Sequence, residues 1–326
     1  MIEIDGSYGE GGGQVLRTAL SISCILGTPI KITNIRAGRK NPGLSYQHLA
    51  ACNLLAKVCR AKIKGAEIGS KYLEFIPGKI ASGSFKVEIG TAGSCSLLVQ
   101  AALPVLLHAE EECTLEVIGG THVQGAPTFE YLAEIFAKAA SMFGAKFEIQ
   151  LKKAGFYPTG GGKIHLKTLP SKLHGCIMQK VEEPLRYEIV YFGLPPHVAE
   201  REQAIIRKQL GYLSPSGKIM QVAADCAGNA VTMWKGFIGS CSIGKKGKMA
   251  EEVALEVCRE FEQQYKGNAC VDWHLADQLL LYAALAEGKS SFSAAQATQH
   301  LLTNRYVIEQ MTGRNIIIEG NTIKVL

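Results

Sequence analysis

One histidine near the C-terminus, His300, is the first candidate for chemistry in this chain. It lies in SAAQATQHLLTNRYVIEQM, between a run of small residues and an apolar pattern with helical spacing. A lone histidine in such a place is more often structural, making one hydrogen bond in the core. A neutral imidazole near pH 7 can also act as a nucleophile without a separate base. The other motifs have to decide between these two roles.

A glycine-rich segment, YGEGGGQVLR, precedes a predicted helix near the N-terminus. Glycines permit close backbone approach, and the first amides of a helix attract an anion. The segment matches neither G-x-x-x-x-G-K-[ST] nor G-x-G-x-x-G. Glu10 inside it could favour the helix dipole, or it could hold a divalent cation against a phosphate. The segment alone leaves both interpretations open.

A basic loop, IRAGRKNPGLSYQHL, joins a predicted strand to a predicted helix. It contains Arg36, Arg39 and Lys40, and the helix carries Gln47 and His48. Three charges on a loop usually form a solvated surface. Arginine guanidinium groups also match phosphate oxygens bidentately, so a phosphate or nucleic-acid contact is the alternative.

A polar residue interrupts an otherwise apolar predicted helix in TAGSCSLLVQAALP. Gly93 and Ser94 begin this helix and could form another anion site, and Gln100 lies further along it. A buried glutamine needs hydrogen-bond partners, which could be the backbone or a ligand. The loops GGTHVQGAP and GFYPTGGG, taken singly, are ordinary turns.

The composition is that of a globular protein. Of 326 residues, 47% are hydrophobic and 20% are charged. No apolar run reaches the ~18 residues of a membrane span, and the N-terminus lacks the features of a signal peptide, so we expect a cytoplasmic protein without membrane contact. The ten cysteines form no C-x-x-C pair and no zinc-site spacing, which indicates reduced thiols. A net charge of +6 fits an anionic partner but is common among metabolic enzymes.

The elements that must position these residues form a repeat. Hydrophobic periodicity predicts a β-α-β-α-β-β unit over roughly residues 1–80, a second over roughly 81–172, and a third at the C-terminus, from ACVDW to NIIIEGNTIKVL. The predicted fold class is α/β (α+β), with paired helices on one face of each four-stranded sheet. The segment 175–266 has strands and helices of its own. We therefore predict a large domain of residues 1–174 and 267–326, with a small α/β domain inserted at 175–266.

Taken together, the motifs resemble one family, the RNA 3′-terminal phosphate cyclases. The matching stretches run in the family's order from residue 5 to residue 304: DGSYGEGGGQVLR, IRAGRKNPGLSYQHL, GAEIGS, TAGSCSLLVQAALP, GGT…AP, GFYPTGGG, HVAERE, HLADQL and HLLTN. An ordered set covering essentially the whole chain is far more specific than one motif. The fold that the resemblance implies agrees with the repeat and insertion predicted from periodicity.

The resemblance implies an ATP-dependent ligase that acts on RNA with a 3′-terminal phosphate. In the family's reaction a histidine takes AMP from ATP, releasing pyrophosphate, and AMP then passes to the RNA 3′-phosphate to give RNA-(3′)pp(5′)A. The neighbouring 2′-hydroxyl finally displaces AMP and leaves a 2′,3′-cyclic phosphodiester. A Mg²⁺ or Mn²⁺ ion would neutralise charge on the departing pyrophosphate.

Site residues are carried over by motif. The resemblance implies His300 as the nucleophile and Glu10 as the metal-binding carboxylate. The nucleotide pocket that it implies consists of Gln100, Pro127, His274, Leu275, Ala276, Asp277 and Gln278. Asp277 would bind the ribose hydroxyls and Pro127 would pack on adenine. The implied phosphate contacts are Arg17, Arg36, Arg39, Gln47 and His48. His274 departs from the tyrosine that cyclases often carry before L-A-D-Q, and an imidazole stacks with less area.

Three other functions compete with an active cyclase. The family has a non-catalytic relative that serves ribosome assembly, but that relative lacks the histidine, and His300 is present here. An enolpyruvyl transferase uses similar structural units but needs no adenylated histidine. A plain RNA-binding module would need aromatic stacking platforms or a basic stripe, whereas aromatic residues make up only 7% of this chain.

Overall fold

The computed structural model describes the whole chain, residues 1–326, as a mixed α/β protein. Its first group of elements is β1 (Ile2–Asp5), α1 (Gln14–Leu26), β2 (Ile30–Thr33), α2 (Tyr46–Val58), β3 (Lys62–Lys64) and β4 (Leu73–Ile76). The strands form one sheet in the order β1-β2-β4-β3. Apolar residues alternate with polar ones along IEID and IKIT, so Ile4, Ile30 and Ile32 point into the core.

The second group repeats this strand order. It comprises β5 (Gly83–Glu88), α3 (Cys95–Leu107), β6 (Cys113–Gly119), α4 (Phe129–Tyr131), a π-helical turn (Leu132–Phe136), α5 (Ala137–Ser141), β7 (Phe147–Lys153) and β8 (Gly162–Thr168). The sheet order is β5-β6-β8-β7, with β5 parallel to β6 and the other pairs antiparallel, as in the first sheet. The second helix of the β-α-β-α-β-β unit predicted here is present over residues 129–141, but a π-helical turn divides it.

The middle segment contains β9 (Arg186–Phe192), α6 (Pro196–Leu210), a 3₁₀ turn (Gly211–Leu213), β10 (Ser216–Gln221), β11 (Gly228–Lys235), β12 (Ile238–Ile243) and α7 (Ala250–Tyr265). Its strands form a sheet in the order β10-β9-β11-β12. Sequence periodicity predicts strands at LRYEIVYF and AVTMWKGF, which correspond to β9 and β11, but it does not predict the two strands at the edges. β10 is exposed over most of its length and β12 is rich in small residues, so neither carries a strong apolar alternation.

The C-terminal group is α8 (Trp273–Leu285), β13 (Ser290–Ser293), α9 (Gln299–Thr312), β14 (Ile316–Glu319) and β15 (Thr322–Val325). These strands form a sheet of three, in the order β13-β15-β14, rather than the four that were predicted. The predicted strand ACVDW is reduced to one parallel bridge between Val271 and Ala294. The next residue, Asp272, already caps α8, so the chain leaves the sheet direction after a single bridge.

A continuous hydrophobic core joins the first, second and C-terminal groups, and the middle segment has a separate core cluster. Helix α1 packs against α2, α3 and α9, and α8 packs against α9. The N-terminal ends of α1, α2 and α9 meet on one side of the core, since Gly13 lies against His48 and Glu10 lies against His300. No helix has the length and apolar character required to cross a bilayer.

Candidate active site

Glu10 projects from a tight turn in the glycine-rich segment. The amide of Gly11 donates to the carbonyl of Tyr8 over 3.2 Å, and Gly9 and Gly11 have φ values of +63° and +52°. Those left-handed conformations favour glycine, which explains why the carboxylate is flanked by it. Glu10 Oε2 lies 3.0 Å from His300 Nε2, and the two side chains are 30% and 43% exposed. Both groups are therefore open to a ligand.

His300 is the second residue of α9, after the N-cap Thr298, whose hydroxyl accepts a hydrogen bond from the Leu301 amide over 3.2 Å. Partial burial lowers the pKa of His300, and the positive charge of Arg17 lowers it further, although Glu10 acts in the opposite direction. The imidazole is consequently neutral near pH 7, which is the form a nucleophile requires.

The basic loop contributes two arginines that differ in their contacts. Arg39 Nη2 lies 3.6 Å from Glu10 Oε2, and a Cβ at Gly12 would come within 2.8 Å of the same nitrogen. The Arg39 side chain therefore lies against the backbone of Gly12, next to Glu10. Arg36 has a φ of +56°, and its Nη1 donates to the Gly43 carbonyl over 2.7 Å. One donor of the Arg36 guanidinium therefore stabilises the basic loop that carries it.

His48 is buried at the start of α2, with its Nδ1 2.5 Å from Ser45 Oγ. A Cβ at Gly13 would lie 2.0 Å from His48 Nε2, so only glycine leaves room for the ring. Burial lowers the pKa of His48 to about 3, and the nearby positive charges, first that of Arg17, add to the effect. His48 is neutral at physiological pH, so it can reach a phosphate through a hydrogen bond but not as a cation.

Two further predicted phosphate contacts already have protein partners. Arg17 Nη2 donates to Gln14 Oε1 over 2.6 Å, and burial lowers its pKa to about 10, which leaves it charged at pH 7. Gln47 Oε1 accepts from the Ser94 amide over 3.0 Å and so joins α2 to the first turn of α3. Its amide nitrogen remains as a donor.

A small cavity of about 30 Å³ lies between α1, α3, α8 and α9. It is lined by Gln14, Arg17, Thr18, Ser21, Gln100, Ala101, Phe136, Gln278, Leu281, Tyr282 and Asn304. Gln100 Nε2, Gln278 Oε1 and the Tyr282 hydroxyl are buried in it without a hydrogen-bond partner. Buried polar atoms without partners are costly, so this cavity suits polar ligand atoms or water.

Of the residues predicted for the nucleotide pocket, Gln100 and Gln278 line this cavity. Burial raises the pKa of Asp277 to about 7, against the positive charges of His274 and Arg17. Leu275 and Ala276 are buried in the core, so only their backbone atoms could contact a ligand. Pro127 is partly exposed in the loop that precedes α4.

His274 is exposed, but its ring is engaged with neighbours. Its Nε2 lies 2.9 Å from Glu260 Oε1 and 2.9 Å from Trp273 Nε1. Burial opposes the charge, yet the Glu260 hydrogen bond and nearby carboxylates give a net raised pKa. The His274 ring is therefore protonated more readily than that of a free histidine. Glu260, which forms the hydrogen bond, belongs to α7.

Two residues that sequence analysis did not single out organise this region. Asn304 Nδ2 donates to the Asp277 carbonyl over 2.7 Å, and its Oδ1 accepts from Thr18 Oγ1 over 2.5 Å. Asp272 accepts from the amides of His274 and Leu275 and from the Tyr131 hydroxyl, so it joins α8 to α4. An aspartate directly before a helical pattern is an N-cap signal that could have identified Asp272.

No group of three or more His, Cys, Asp or Glu residues lies close enough together to form a metal site from protein ligands alone. Magnesium commonly binds through one or two carboxylates together with substrate phosphate oxygens and water. The partly exposed Glu10 carboxylate fits that type of site, because it is accessible and lies beside Arg39, whose guanidinium suits the same phosphate group.

The sequence profile of one family, described as RNA 3′-terminal phosphate cyclase, matches residues 8–318. The chain belongs to this family. Its cyclase relatives include a protein of Archaeoglobus fulgidus, named RNA 3′-terminal phosphate cyclase, which is 38% identical over 99% of both chains. Proteins of the same name from Pyrobaculum aerophilum and Pyrococcus furiosus are 42% and 40% identical, over 95% and 98% of this chain and 92% and 96% of theirs. The family predicted from the sequence motifs is thereby confirmed.

Proposed function

We propose that this chain is an ATP-dependent ligase that converts an RNA 3′-terminal phosphate into a 2′,3′-cyclic phosphodiester. The observation that carries the proposal is a neutral histidine, His300, held 3.0 Å from the Glu10 carboxylate beside Arg39. Family membership over residues 8–318 supports the same activity. Neither finding favours the non-catalytic relative.

In the first step the His300 imidazole attacks the α-phosphorus of ATP. A P–N bond forms, the bond from the α-phosphorus to the bridging oxygen breaks, and pyrophosphate leaves. In the free protein Nε2 faces Glu10, so attack through this nitrogen requires the tautomer that carries its proton on Nδ1. Arg17 and Arg39 lie close enough to affect the charge of His300, and they would bind the phosphates.

In the second step an oxygen of the RNA 3′-phosphate attacks the adenylate phosphorus and His300 leaves. The product is RNA-(3′)pp(5′)A. In the third step the vicinal 2′-hydroxyl attacks the 3′-phosphorus, its proton is lost, and AMP departs. This attack is intramolecular, and well-oriented reactions of this kind reach effective molarities of ~10⁵ M or more.

The ligands that we propose are ATP, an RNA 3′-phosphate end and a Mg²⁺ or Mn²⁺ ion. Glu10 would hold the metal, which would neutralise negative charge on the triphosphate. The Gln100 and Gln278 amides, which have buried atoms without partners, would bind the nucleotide together with Asp277. Pro127 and His274 would flank the base, and Arg36, Gln47 and His48 would complete the phosphate contacts.

We also propose that residues 1–174 and 267–326 form a catalytic domain of three related units, with 175–266 as an insert. The shared strand order of the first two sheets supports the relationship between units, and the separate core cluster of the middle segment supports the insert. Both features were expected from sequence periodicity alone.

Incubation of the purified protein with α-³²P-ATP and Mg²⁺, followed by denaturing electrophoresis, tests the first step. We expect an acid-labile, alkali-stable label on the wild type and none on His300→Ala. The matched control is His197→Ala, which removes an exposed histidine of α6. A label that persists in His300→Ala would overturn the assignment of the nucleophile. An unlabelled wild type with an occupied ATP site would instead favour the non-catalytic relative.

A further inference from the structure

Two tyrosines from distant parts of the chain stack beside the candidate active site. The ring centroids of Tyr8 and Tyr306 lie 3.8 Å apart, with an angle of 16° between the ring planes. Tyr8 belongs to the glycine-rich segment and is 45% exposed, while Tyr306 is a half-buried residue of α9. An exposed loop residue is thereby fixed to a long helix by a large apolar contact.

The stack is one of several contacts between the same face of α9 and the N-terminal segment. His300, Thr303, Tyr306 and Gln310 are spaced three or four residues apart and so share one helix face. In order along the helix, the contacts are His300 with Glu10, Thr303 with Gly9, Tyr306 with Tyr8, and Gln310 with the Glu3 carbonyl. The segment therefore runs antiparallel to α9, and its residues are matched to successive helical turns.

The turn that presents Glu10 begins at Tyr8. Because the Gly11 amide bonds the Tyr8 carbonyl, Glu10 is the third residue of a four-residue turn. A Cβ at Gly9 would lie 2.1 Å from Thr303 Oγ1, so the turn lies directly on α9. The residue whose ring contacts α9 is therefore also the first residue of the turn that carries the carboxylate.

We propose that the stack of Tyr8 on Tyr306 holds the Glu10 carboxylate at its distance from His300, with Tyr306 as a positioning residue. One rigid helix carries both the imidazole and the tyrosine, six residues or about 9 Å apart. Glu10 sits on a turn flanked by Gly9 and Gly11, and glycine restricts the backbone less than any other residue. The expected effect of Tyr306 on AMP transfer to the protein rests on the proposed function. Its expected effect on the position of the turn does not.

Hydrogen–deuterium exchange of the protein without nucleotide or metal tests the placement. We expect Tyr306→Ala to accelerate exchange in a peptide covering residues 6–13, and Tyr306→Phe to leave it as in the wild type. The control is Tyr265→Ala, which removes a ring stacked on Phe261 within α7 and should not affect this peptide. Wild-type exchange of residues 6–13 in Tyr306→Ala would overturn the proposal.

The rate of AMP transfer to the protein tests the consequence. Since misplacement of a reacting group by about 1 Å can cost on the order of 10²-fold, we expect a loss of that size in Tyr306→Ala and recovery in Tyr306→Phe. Tyr8→Ala combined with Tyr306→Ala should be no slower than either alone, because the two rings act as one unit.

Multiplicative losses in the double variant, or a wild-type rate in Tyr306→Ala, would refute the positioning role. A wild type that accepts no AMP would refute the proposed function, and the exchange experiment would still decide where the turn is held.

Discussion

Glu10 Oε2 lies 3.0 Å from His300 Nε2, although the two residues stand near opposite ends of the chain. The same oxygen lies 3.6 Å from Arg39 Nη2. One carboxylate thus bridges the candidate nucleophile and a residue of the basic loop. This arrangement brings an imidazole, a carboxylate and a guanidinium together at the N-terminal ends of α1 and α9, which suits a displacement at a phosphorus atom.

Replacing Glu10 with glutamine keeps the shape of the side chain and removes its charge. We expect Glu10→Gln to slow AMP transfer to His300 and to raise the Mg²⁺ concentration needed for half-maximal rate, because the amide is a poorer metal ligand. Label incorporation measured across a Mg²⁺ series checks this. Glu3→Gln, at an exposed carboxylate paired with Lys31, is the matched control. Equal rates and equal Mg²⁺ dependence in both variants would remove Glu10 from the site.

The two arginines of the basic loop should both contribute to ligand binding, but they should differ in their effect on thermal stability. Loss of a charge-assisted hydrogen bond costs about 1.5–3 kcal/mol, so Arg39→Ala and Arg36→Ala should each weaken binding of ATP or the RNA end roughly 10- to 100-fold. Arg36→Ala should also lower the Tm, because Arg36 bonds the Gly43 carbonyl within the loop. Steady-state kinetics and thermal unfolding check both effects, with the exposed Arg207→Ala as control. Unchanged kinetics for both substrates would exclude these residues.

Nucleotide binding should depend on pH through Asp277. Burial raises its pKa to about 7, so the carboxylate loses its charge as the pH falls below this value. A protonated carboxyl accepts fewer hydrogen bonds from ribose hydroxyls. We expect the Kd for ATP to rise between pH 7.5 and 6, and Asp277→Asn to bind weakly with this dependence removed. Calorimetric titration across that range checks the prediction, and the same pH dependence in the variant would contradict it.

His48 should make the protein sensitive to acid. Its pKa is lowered to about 3 in the folded state, below the ~6.5 of an unfolded chain. Between these values the unfolded state binds a proton that the native state does not, so stability falls as the pH drops. The shifted pKa of this one group lowers the free energy of unfolding by about 3 kcal/mol between pH 7 and pH 4. Urea unfolding should show a smaller loss for His48→Gln than for the wild type, and an equal loss would contradict the assignment.

The sequence alone identified the family and most of the helices and strands. The glycine-rich segment YGEGGGQVLR indicated close backbone approach ahead of a helix, and two of its glycines, Gly9 and Gly11, have positive φ. Hydrophobic periodicity also predicted most of the strands and helices that position the candidate site. These features depend on neighbouring residues, so local conformational preference and hydrophobic period reveal them.

The contacts between residues far apart in the chain were decided by the packing of whole segments. Sequence reasoning expected Gln47 to contact phosphate, which stays a prediction, and it did not find that the carbonyl oxygen of Gln47 accepts a hydrogen bond from the Ser94 amide. It did not find that Asn304 bonds the backbone of Asp277 and the hydroxyl of Thr18. Nor did it show that ACVDW forms only one bridge. Such contacts depend on how whole helices and sheets pack, and no local pattern records the distance between residues far apart in the chain.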